Sequence, residues 1–294
     1  MNREKHMAKK EKLIITAAVS GGATFKNNNS NVPYLPEEFA DECEKCLQEG
    51  VSIVHIHARD PETGFATADL KIMFETVQAI RERCPDLIIN LSTAITLNLT
   101  PEQRITPVIE LKPEMASLNT TSMNDGLANH KTGEILFEYT FENSLGMILD
   151  FAKTMKETNV KPELEIYDPA GIYNIQLLHK QKNVFTEPLH FQMVYGAFGG
   201  VAFSPGMHMI MMDLLPENAT FGVCGVGPHQ VPAAMMSIMT GGHVRIGLED
   251  NTRVPGGNLA QGSWEQAIWV RNLAKIFDRQ IATPSEAREI LGLG

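Results

Sequence analysis

The sequence contains two histidines separated by one residue, His55 and His57, at the end of an apolar, strand-like run that begins at Val51. On an extended chain alternate side chains point to the same face, so both imidazoles are expected to converge at the carboxyl end of the strand. A third candidate ligand, Glu249, ends another strand-like run far along the chain. Two imidazoles and one carboxylate leave coordination positions open, as in catalytic rather than structural zinc sites. The sequence therefore predicts a centre for Zn²⁺ or another divalent ion that polarises a bound carbonyl or carboxylate.

Two charged residues, Arg245 and Asp250, surround the candidate ligand Glu249. If the strand continues through this segment, Asp250 points away from Glu249 and must have another role. One interpretation is a buried ion pair of Arg245 with Asp250 that accepts a proton from a substrate acidified by the metal. The structural alternative is a salt bridge at the rim of the fold. For the two histidines, the structural alternative is burial in the core with ring nitrogens bonded to the backbone.

Short apolar runs and helical patterns alternate along the chain and give eight strand-then-helix units in a row. Short, mostly apolar strands are typical of parallel strands buried on both faces. Strict alternation at this length predicts an α/β fold of the (β/α)8, or TIM barrel, type rather than an open doubly wound sheet. The segment 120–139 has a loop-like composition. The predicted strands span 12–18, 51–57, 87–92, 114–119, 163–167, 189–195, 220–225 and 243–248.

Barrels of this type carry their active sites at the carboxyl ends of the strands, and that rule selects further polar residues as candidates. Ser92, for example, is expected either to hydrogen-bond a substrate carbonyl or to cap the end of its strand. A helix with four methionines between Met207 and Met212 is better explained by core packing or a subunit interface than by a cofactor contact. The residues selected at strand ends are Ser20, Arg59, Ser92, Asn119 and Glu165.

The composition is that of one large domain, predicted at residues 13–294, since the chain has 294 residues of which 43% are hydrophobic. The net charge of −10 argues against nucleic acid as a partner, because phosphate binding needs a basic surface. Residues 1–12 are charged and do not resemble a secretory signal, and no apolar run approaches the ~20 residues of a membrane span. We therefore expect a disordered or tag-like leader, no membrane partner and a cytoplasmic location. The four cysteines are expected to be free thiols, which fits a reducing compartment.

Six segments of the chain, taken together, resemble the β-keto acid cleavage enzyme family. The HxH pair at 55–57 and the motif Gly-Gly-His-x-Arg-x-Gly-x-Glu-Asp-Asn at 241–251 are the most specific of them. The resemblance implies a zinc-dependent TIM barrel that converts a β-keto acid and acetyl-CoA into acetoacetate and a new acyl-CoA. It also implies a homo-oligomer, namely a tetramer. The segments are 16–21, 54–59, 89–93, 112–119, 162–167 and 241–251.

The resemblance also implies roles for individual residues. His55, His57 and Glu249 match the zinc ligands of the family, and Arg245 and Asp250 match the dyad proposed to take the Cα proton. Zinc bound to the carboxylate and ketone oxygens of a β-keto acid would stabilise enolate charge. The carbanion would attack the acetyl thioester, and a retro-Claisen split would follow. The positions expected to contact substrate or to line its pocket are Ser92, Ser117, Asn119 and Glu165.

One position, Ala23, departs from the family resemblance. A family member that acts on an amino-substituted β-keto acid has a glutamate here, shortly after the first strand, and that glutamate holds the ammonium group of the substrate. A methyl group cannot pair with a buried cation, and an unpaired buried charge is costly. We therefore expect Ala23 to contact a different β-keto acid, either uncharged or differently charged at this point.

Two other kinds of function fit a metal centre on a barrel. A different metal-dependent TIM-barrel enzyme, such as a hydrolase or an aldolase, would need no acetyl-CoA. Metal-dependent amidohydrolases carry an HxH pair on the first strand, whereas here the pair is on the second. A non-catalytic metal-binding scaffold would bind zinc, and the substitution Asp250→Asn would then impair no turnover. The polar residues at several strand ends favour an enzyme.

Overall fold

Eight parallel strands close into a barrel in the computed structural model, which describes residues 11–129, 131–181 and 184–293. The strands, including two outside the barrel, are β1 (Ile15–Ala18), β2 (Ile53–Ile56), β3 (Ile88–Leu91), β4 (Met115–Asn119), β5 (Met123–Ala128), β6 (Ile135–Phe141), β7 (Lys161–Ile166), β8 (His190–Tyr195), β9 (Thr220–Gly225) and β10 (His243–Ile246). The order around the barrel is β1, β2, β3, β4, β7, β8, β9 and β10, and β10 pairs with β1. The predicted (β/α)8 barrel is therefore confirmed.

Helices follow the barrel strands and cover the outside, and several of their starts are encoded locally. Asp69 accepts hydrogen bonds from the backbone N–H groups of Lys71 and Ile72, which the first helical turn leaves open. Thr100 begins another helix with a capping box that includes Gln103. The helices are α1 (Pro36–Gln48), α2 (Leu70–Arg83), α3 (Pro101–Leu111), α4 (Leu145–Glu157), α5 (Pro169–His179), α6 (Pro205–Leu214), α7 (Gln230–Thr240), α8 (Ser263–Ile276) and α9 (Pro284–Leu291).

The apolar core lies between the strands and the surrounding helices. Because alternate residues of a strand point to opposite faces, β2 directs Val54 and Ile56 into this core and His55 into the barrel. In the same way, β7 contributes Leu164 to the core and directs Glu165 inward. The barrel interior therefore carries buried polar side chains near the carboxyl ends of the strands, where the sequence predicts the chemistry.

The opposite end of the barrel is closed by α9 and the segment before it. Lys12, the last residue of the predicted leader, forms an ion pair with Glu286 of this helix, and residues 1–10 lie outside the described residues. The backbone N–H of Leu13 donates to the carbonyl of Gln280 at 2.8 Å. An apolar cluster under the amino ends of the strands consists of Ile14, Ile53, Ile88, Met115, Ala282, Ala287 and Leu291.

The segment 120–139, predicted as a loop, instead contains most of an antiparallel hairpin. Strand β5 pairs with β6, with Met123 opposite Phe141, and the backbone N–H of Gly133 closes the turn by donating to Asn129. Most residues of β6 are exposed, so this strand lacks the buried apolar run that identifies the barrel strands. The loop prediction is wrong for this reason.

The methionine-rich helix α6 packs into the core through Met211 and Met212, in agreement with the core-packing interpretation of the sequence. All four cysteines are buried and free, as expected. Within the described ranges, no helix has both the length and the apolar character that crossing a membrane requires.

Candidate active site

The three predicted metal ligands lie together at the carboxyl end of the barrel. His55 belongs to β2, His57 follows that strand, and Glu249 lies in the turn after β10. The carboxylate Oε1 of Glu249 is 3.8 Å from Nε2 of His55 and 3.7 Å from Nε2 of His57. One candidate ligand atom from each residue lies within 4.8 Å of the other two. The structure therefore brings together the three side chains that the sequence selects.

The chemistry of these side chains fits a divalent metal ion. Burial lowers the pKa of His55 well below its usual range and lowers that of His57 to about 3, so both rings are neutral and keep a lone pair for a metal. Nδ1 of His57 lies 3.3 Å from the carbonyl of Ile95, which directs its Nε2 lone pair towards the other ligands. Nδ1 of His55 and Oε2 of Glu249 are buried and have no hydrogen-bond partner among the described residues. Two imidazoles and a carboxylate are a zinc-type donor set.

The Arg245 guanidinium organises the carboxylates beside the three ligands. Its Nε and Nη2 each donate to Asp250 at 3.0 Å, which makes a bidentate pair. Its Nη2 also donates to Glu249 at 2.6 Å, and its Nη1 donates to Glu165 at 3.1 Å. One buried guanidinium thus binds three carboxylates, of which one is a candidate metal ligand.

The backbone between Arg245 and Asp250 differs from the prediction. Strand β10 ends at Ile246 rather than at residue 248, and Gly247, with φ 144°, approaches the Ala18 backbone too closely for a side chain. The N–H of Asp250 then donates to the carbonyl of Gly247 at 3.1 Å and forms a turn. Neighbouring side chains diverge in a strand but not in this turn, so Glu249 and Asp250 both reach Arg245. The expectation that they point apart holds only for a continuing strand.

Negative charge exceeds positive charge at this end of the barrel. Burial raises the pKa of Glu165 to about 8, although the charge of Arg245 acts in the opposite direction. Burial also raises the pKa of Glu163 and of Asp250, again against the effect of Arg245. Three carboxylates accept hydrogen bonds from Arg245, Glu163 lies within reach of its charge, and the charge of Arg59 acts in addition on Glu249. A divalent cation bound here would offset part of this excess, since buried charge without compensation is costly.

The predicted substrate-contacting residues have different surroundings. The hydroxyl of Ser117 accepts a hydrogen bond from the N–H of Thr93 at 3.1 Å, so it holds the loop after β3. The hydroxyl of Ser92 similarly accepts from the N–H of Ala94 at 3.1 Å, which agrees with the strand-end alternative. The amide of Asn119 is buried, and neither its oxygen nor its nitrogen has a partner among the described residues. Of these three side chains, Asn119 has the most hydrogen-bonding capacity left for a ligand.

Ala23 lies exposed in the loop that follows β1, next to Gly22. Its neighbour Gly22 faces His57, since a Cβ added to this glycine would lie 3.7 Å from Nδ1 of that imidazole. Gly21 is closer still to the ligands, because an added Cβ would lie 2.4 Å from Cγ of Glu249. The loop after β1 therefore forms a cover over two of the three candidate ligands.

Several buried polar residues of the barrel interior were not selected from the sequence. Asn90 pairs in register with His55, and Glu163 lies two residues before Glu165 on the same face of β7. Both side chains are buried, and a contact with the Asn90 amide lowers the pKa of Glu163 against the effect of burial. Each lies two residues before a strand-end candidate, Ser92 or Glu165, so the two-residue repeat of a strand is the signal that identifies them.

Comparison with known proteins identifies the family. A model of the family described as beta-keto acid cleavage enzyme matches residues 12–293. The chain belongs to this family. The relatives of this chain in the family are C–C bond-cleaving acyltransferases, so the prediction that the chain is an enzyme is confirmed. The alternative of a non-catalytic scaffold is thereby set aside.

Individual relatives cover almost the whole chain. The 3-keto-5-aminohexanoate cleavage enzyme of Acetoanaerobium sticklandii is 41% identical over 96% of this chain and 99% of its own length. The 3,5-dioxohexanoate:acetyl-CoA acetone transferase of Paraburkholderia graminis is 30% identical over 98% of this chain and 97% of its own length. Among solved structures, a ternary complex of ObcA with C4-CoA adduct and oxalate has a TM-score of 0.69 at 20% identity, covering 90% of this chain and 68% of that chain. This last similarity concerns the fold.

Proposed function

We propose that this chain is a zinc-dependent β-keto acid cleavage enzyme in which His55, His57 and Glu249 hold the metal. The observation that carries the proposal is the bidentate pair of Arg245 with Asp250, buried beside these three ligands. The names of two relatives support acetyl-CoA as the co-substrate. When bound, the metal supplies a Lewis acid that stabilises negative charge on carbonyl and carboxylate oxygens.

The carboxylate of Asp250 is the proposed base. Arg245 orients it, and burial raises its pKa, which makes the carboxylate a stronger proton acceptor. In the first half of the proposed reaction, Asp250 takes a proton from Cα of the β-keto acid. The electron pair left on that carbon attacks the thioester carbonyl of acetyl-CoA. A C–C bond forms, the C–S bond breaks, and coenzyme A leaves as a thiolate.

The second half of the proposed reaction reverses this sequence on the other carbonyl. The thiolate attacks the ketone carbon of the original substrate, and the bond from that carbon to Cα breaks. Cα keeps the electron pair and regains a proton from Asp250. The products are acetoacetate and a new acyl-CoA. Ser92 and Asn119 are proposed to donate hydrogen bonds to substrate oxygens, while Ser117 and Glu165 shape the pocket through Thr93 and Arg245.

The proposed substrate carries no ammonium group at the position that faces Ala23. The methyl group of this residue provides neither a hydrogen-bond acceptor nor a negative charge with which an ammonium group of the substrate could pair. We therefore propose a β-keto acid with an uncharged or differently charged substituent, even though a relative that is 41% identical is named for the amino compound.

A substrate panel tests the proposed function. The purified protein, loaded with zinc, is incubated with acetyl-CoA and a series of β-keto acids, and acetoacetate is measured. We expect acetoacetate only when both substrates and the metal are present, with the 5-amino compound among the poor substrates. Turnover of a β-keto acid without acetyl-CoA would instead indicate a hydrolase or an aldolase. The fastest turnover on the 5-amino compound would contradict the proposal for Ala23.

Assembly and location complete the proposal. We propose a homo-oligomer, a tetramer by family resemblance, that functions in the cytoplasm with a β-keto acid and acetyl-CoA as its small-molecule partners. The net charge of −10 supports the absence of nucleic acid from these partners. Light scattering of the purified protein tests the subunit number.

A further inference from the structure

The Arg59 side chain is fully buried two residues after His57, and the proposed reaction gives it no role. Its guanidinium lies between two aromatic rings, 5.3 Å from the centroid of Phe25 and 5.6 Å from that of Tyr34. Its hydrogen bonds to described residues all go to backbone carbonyls, and no carboxylate of the described residues forms an ion pair with it. The charge of Glu249 stabilises that of Arg59 from beyond ion-pair distance, so backbone carbonyls and aromatic rings make the direct contacts of this buried charge, whose desolvation is costly.

The hydrogen bonds of Arg59 connect two loops at the carboxyl end of the barrel. Nη1 donates to the carbonyl of Gly64 at 2.8 Å, in the loop after β2. Nη2 donates to the carbonyl of Ser20 at 2.9 Å and to that of Thr24, both in the loop after β1. The planar fork of an arginine can bind several carbonyls in fixed directions, which a lysine cannot do. Arg59 thus fixes both ends of the segment 20–24.

The segment 20–24 in turn contacts two of the candidate metal ligands. The hydroxyl of Ser20 donates to the carbonyl of His57 at 2.8 Å. The backbone of Gly21 packs directly on the side chain of Glu249, leaving no room for a Cβ. The hydroxyl of Thr24 donates to the backbone carbonyl of Glu249 at 3.1 Å. Movement of this segment would therefore displace the ligands themselves.

We propose that Arg59 is a positioning residue whose guanidinium holds segment 20–24 against His57 and Glu249 and thereby sets the affinity of the metal site. The proposal rests on the proposed function, because it takes these two residues as metal ligands. Groups that orient metal ligands from outside typically contribute about 10- to 100-fold to metal affinity. The same range is expected for Arg59.

The matched control is Arg104, a second buried arginine in a comparable setting. Its guanidinium lies 4.9 Å and 5.4 Å from the ring centroids of Phe141 and Phe151, and it donates to the carbonyl of Thr93 at 2.9 Å and to that of Glu142 at 3.0 Å. It forms no hydrogen bond with segment 20–24 or with a candidate metal ligand. Substituting either arginine with methionine removes a buried charge and keeps an apolar chain of similar length.

The test measures zinc affinity of the full-length protein by competition with a chromophoric chelator. Arg59→Met should weaken zinc binding about 10- to 100-fold, whereas Arg104→Met should leave it unchanged even if both variants lose similar thermal stability. Equal zinc affinity in wild type and Arg59→Met would overturn the proposal. So would an equal loss in both variants, because that would indicate a general effect of unfolding.

Two further measurements keep the proposal testable. If Arg59→Met does not fold, Arg59→Lys keeps the charge but cannot reach Ser20, Thr24 and Gly64 together, and zinc affinity should fall to an intermediate value. Amide hydrogen exchange in the metal-free protein should be faster across residues 20–24 in the Arg59 variants than in wild type, and unchanged exchange would overturn the proposal. If wild type binds no zinc, the proposed function fails, and the exchange rates decide separately whether Arg59 holds the loop.

Discussion

The two ends of the barrel each bury a pair of histidines, and the difference between the pairs shows what makes a metal site. At the amino end, the rings of His190 and His243 lie 6.1 Å apart, and at the carboxyl end those of His55 and His57 lie 5.3 Å apart. Nδ1 of His243 accepts a hydrogen bond from a backbone N–H at 3.1 Å, and Nδ1 of His190 lies 2.9 Å from a threonine hydroxyl. No described carboxylate forms an ion pair with the amino-end pair.

The carboxyl-end pair differs in what surrounds it rather than in its burial. Here Glu249 approaches both imidazoles within 3.8 Å, and its Oε2 and Nδ1 of His55 lack hydrogen-bond partners among the described residues. Two buried histidines are therefore not sufficient to indicate a ligand site. The distinguishing features are a converging carboxylate and polar atoms left without protein partners, because native proteins rarely bury such atoms without a partner or a ligand.

The largest effect is expected from removing a ligand at the carboxyl end. His57→Ala removes one of three metal donors, so zinc affinity and acetoacetate formation should both fall by more than the ~100-fold that loss of an outer partner costs. His190→Ala at the other end should reduce stability but leave zinc affinity unchanged. Zinc titration and acetoacetate assays on His57→Ala and His190→Ala test whether the two histidine pairs differ in this way. Equal zinc loss in the two variants would remove the distinction drawn between the two pairs.

The next effect concerns the proposed base. Asp250→Asn keeps the shape of the side chain but removes its basicity, so kcat should fall about 10²- to 10⁴-fold while zinc affinity changes little. The exposed Asp150 of α4 provides a matched control, and Asp150→Asn should leave kcat unaffected. Wild-type kcat in Asp250→Asn would exclude this residue as the base.

The amino-end pair is expected to affect stability at low pH. Burial lowers the pKa of His190 to about 3, with a smaller contribution from Lys161, and lowers that of His243 well below its usual range, with smaller contributions from His190 and Arg279. Both rings stay neutral in the folded state while the unfolded chain takes up protons below about pH 6.5. Stability from the neutral rings is therefore complete above pH 6.5 and decreases on acidification, and for His190 the loss at pH 5 is about 2 kcal/mol.

Urea unfolding at pH 7 and pH 5 measures this effect as a difference between variants. His190→Gln should lose less stability between the two pH values than wild type does, whatever its stability at pH 7. An identical pH dependence in His190→Gln would show that the amino-end pair does not titrate as its burial predicts.

The smallest effect is expected at Ser117. The family resemblance assigns this residue to the substrate pocket, whereas in the structure its hydroxyl holds the loop after β3. Because its hydroxyl accepts a hydrogen bond from Thr93, Ser117→Ala should cost about 1 kcal/mol of stability and change kcat only a few-fold. The amide of Asn119 lacks partners among the described residues, so Asn119→Ala should raise KM more than Ser117→Ala does. Steady-state kinetics on both variants test this order, and a larger kinetic effect at Ser117 would reverse it.

The sequence predicts the barrel well because periodic burial of short strands is a local signal. The ligands His55 and His57 follow from the two-residue repeat of a strand, and Glu249 from its position after a strand. The turn at Gly247 was not predicted, because its conformation depends on the approach of the Ala18 backbone from a different part of the chain. Such long-range contacts leave no pattern in the local sequence.

Two other features lay beyond prediction for physical reasons. The hairpin of β5 and β6 was missed because its exposed residues do not show the apolar run of a buried strand. The role of Arg59 depends on three backbone carbonyls, which every residue type provides equally. Partners of this kind carry no side-chain identity, so sequence reasoning identified the arginine but not what it binds.

The apolar cluster under the amino ends of the strands has a consequence for the order in which substrates bind. Because α9 and its apolar cluster cover the amino end of the barrel in the described part of the chain, we expect molecules to reach the ligand cluster from the carboxyl end. Under the proposed reaction, the compound bound deepest must arrive first and depart last. The enzyme should therefore follow an ordered sequence in which the β-keto acid precedes the thioester, and acetoacetate, released last, should inhibit competitively against the β-keto acid.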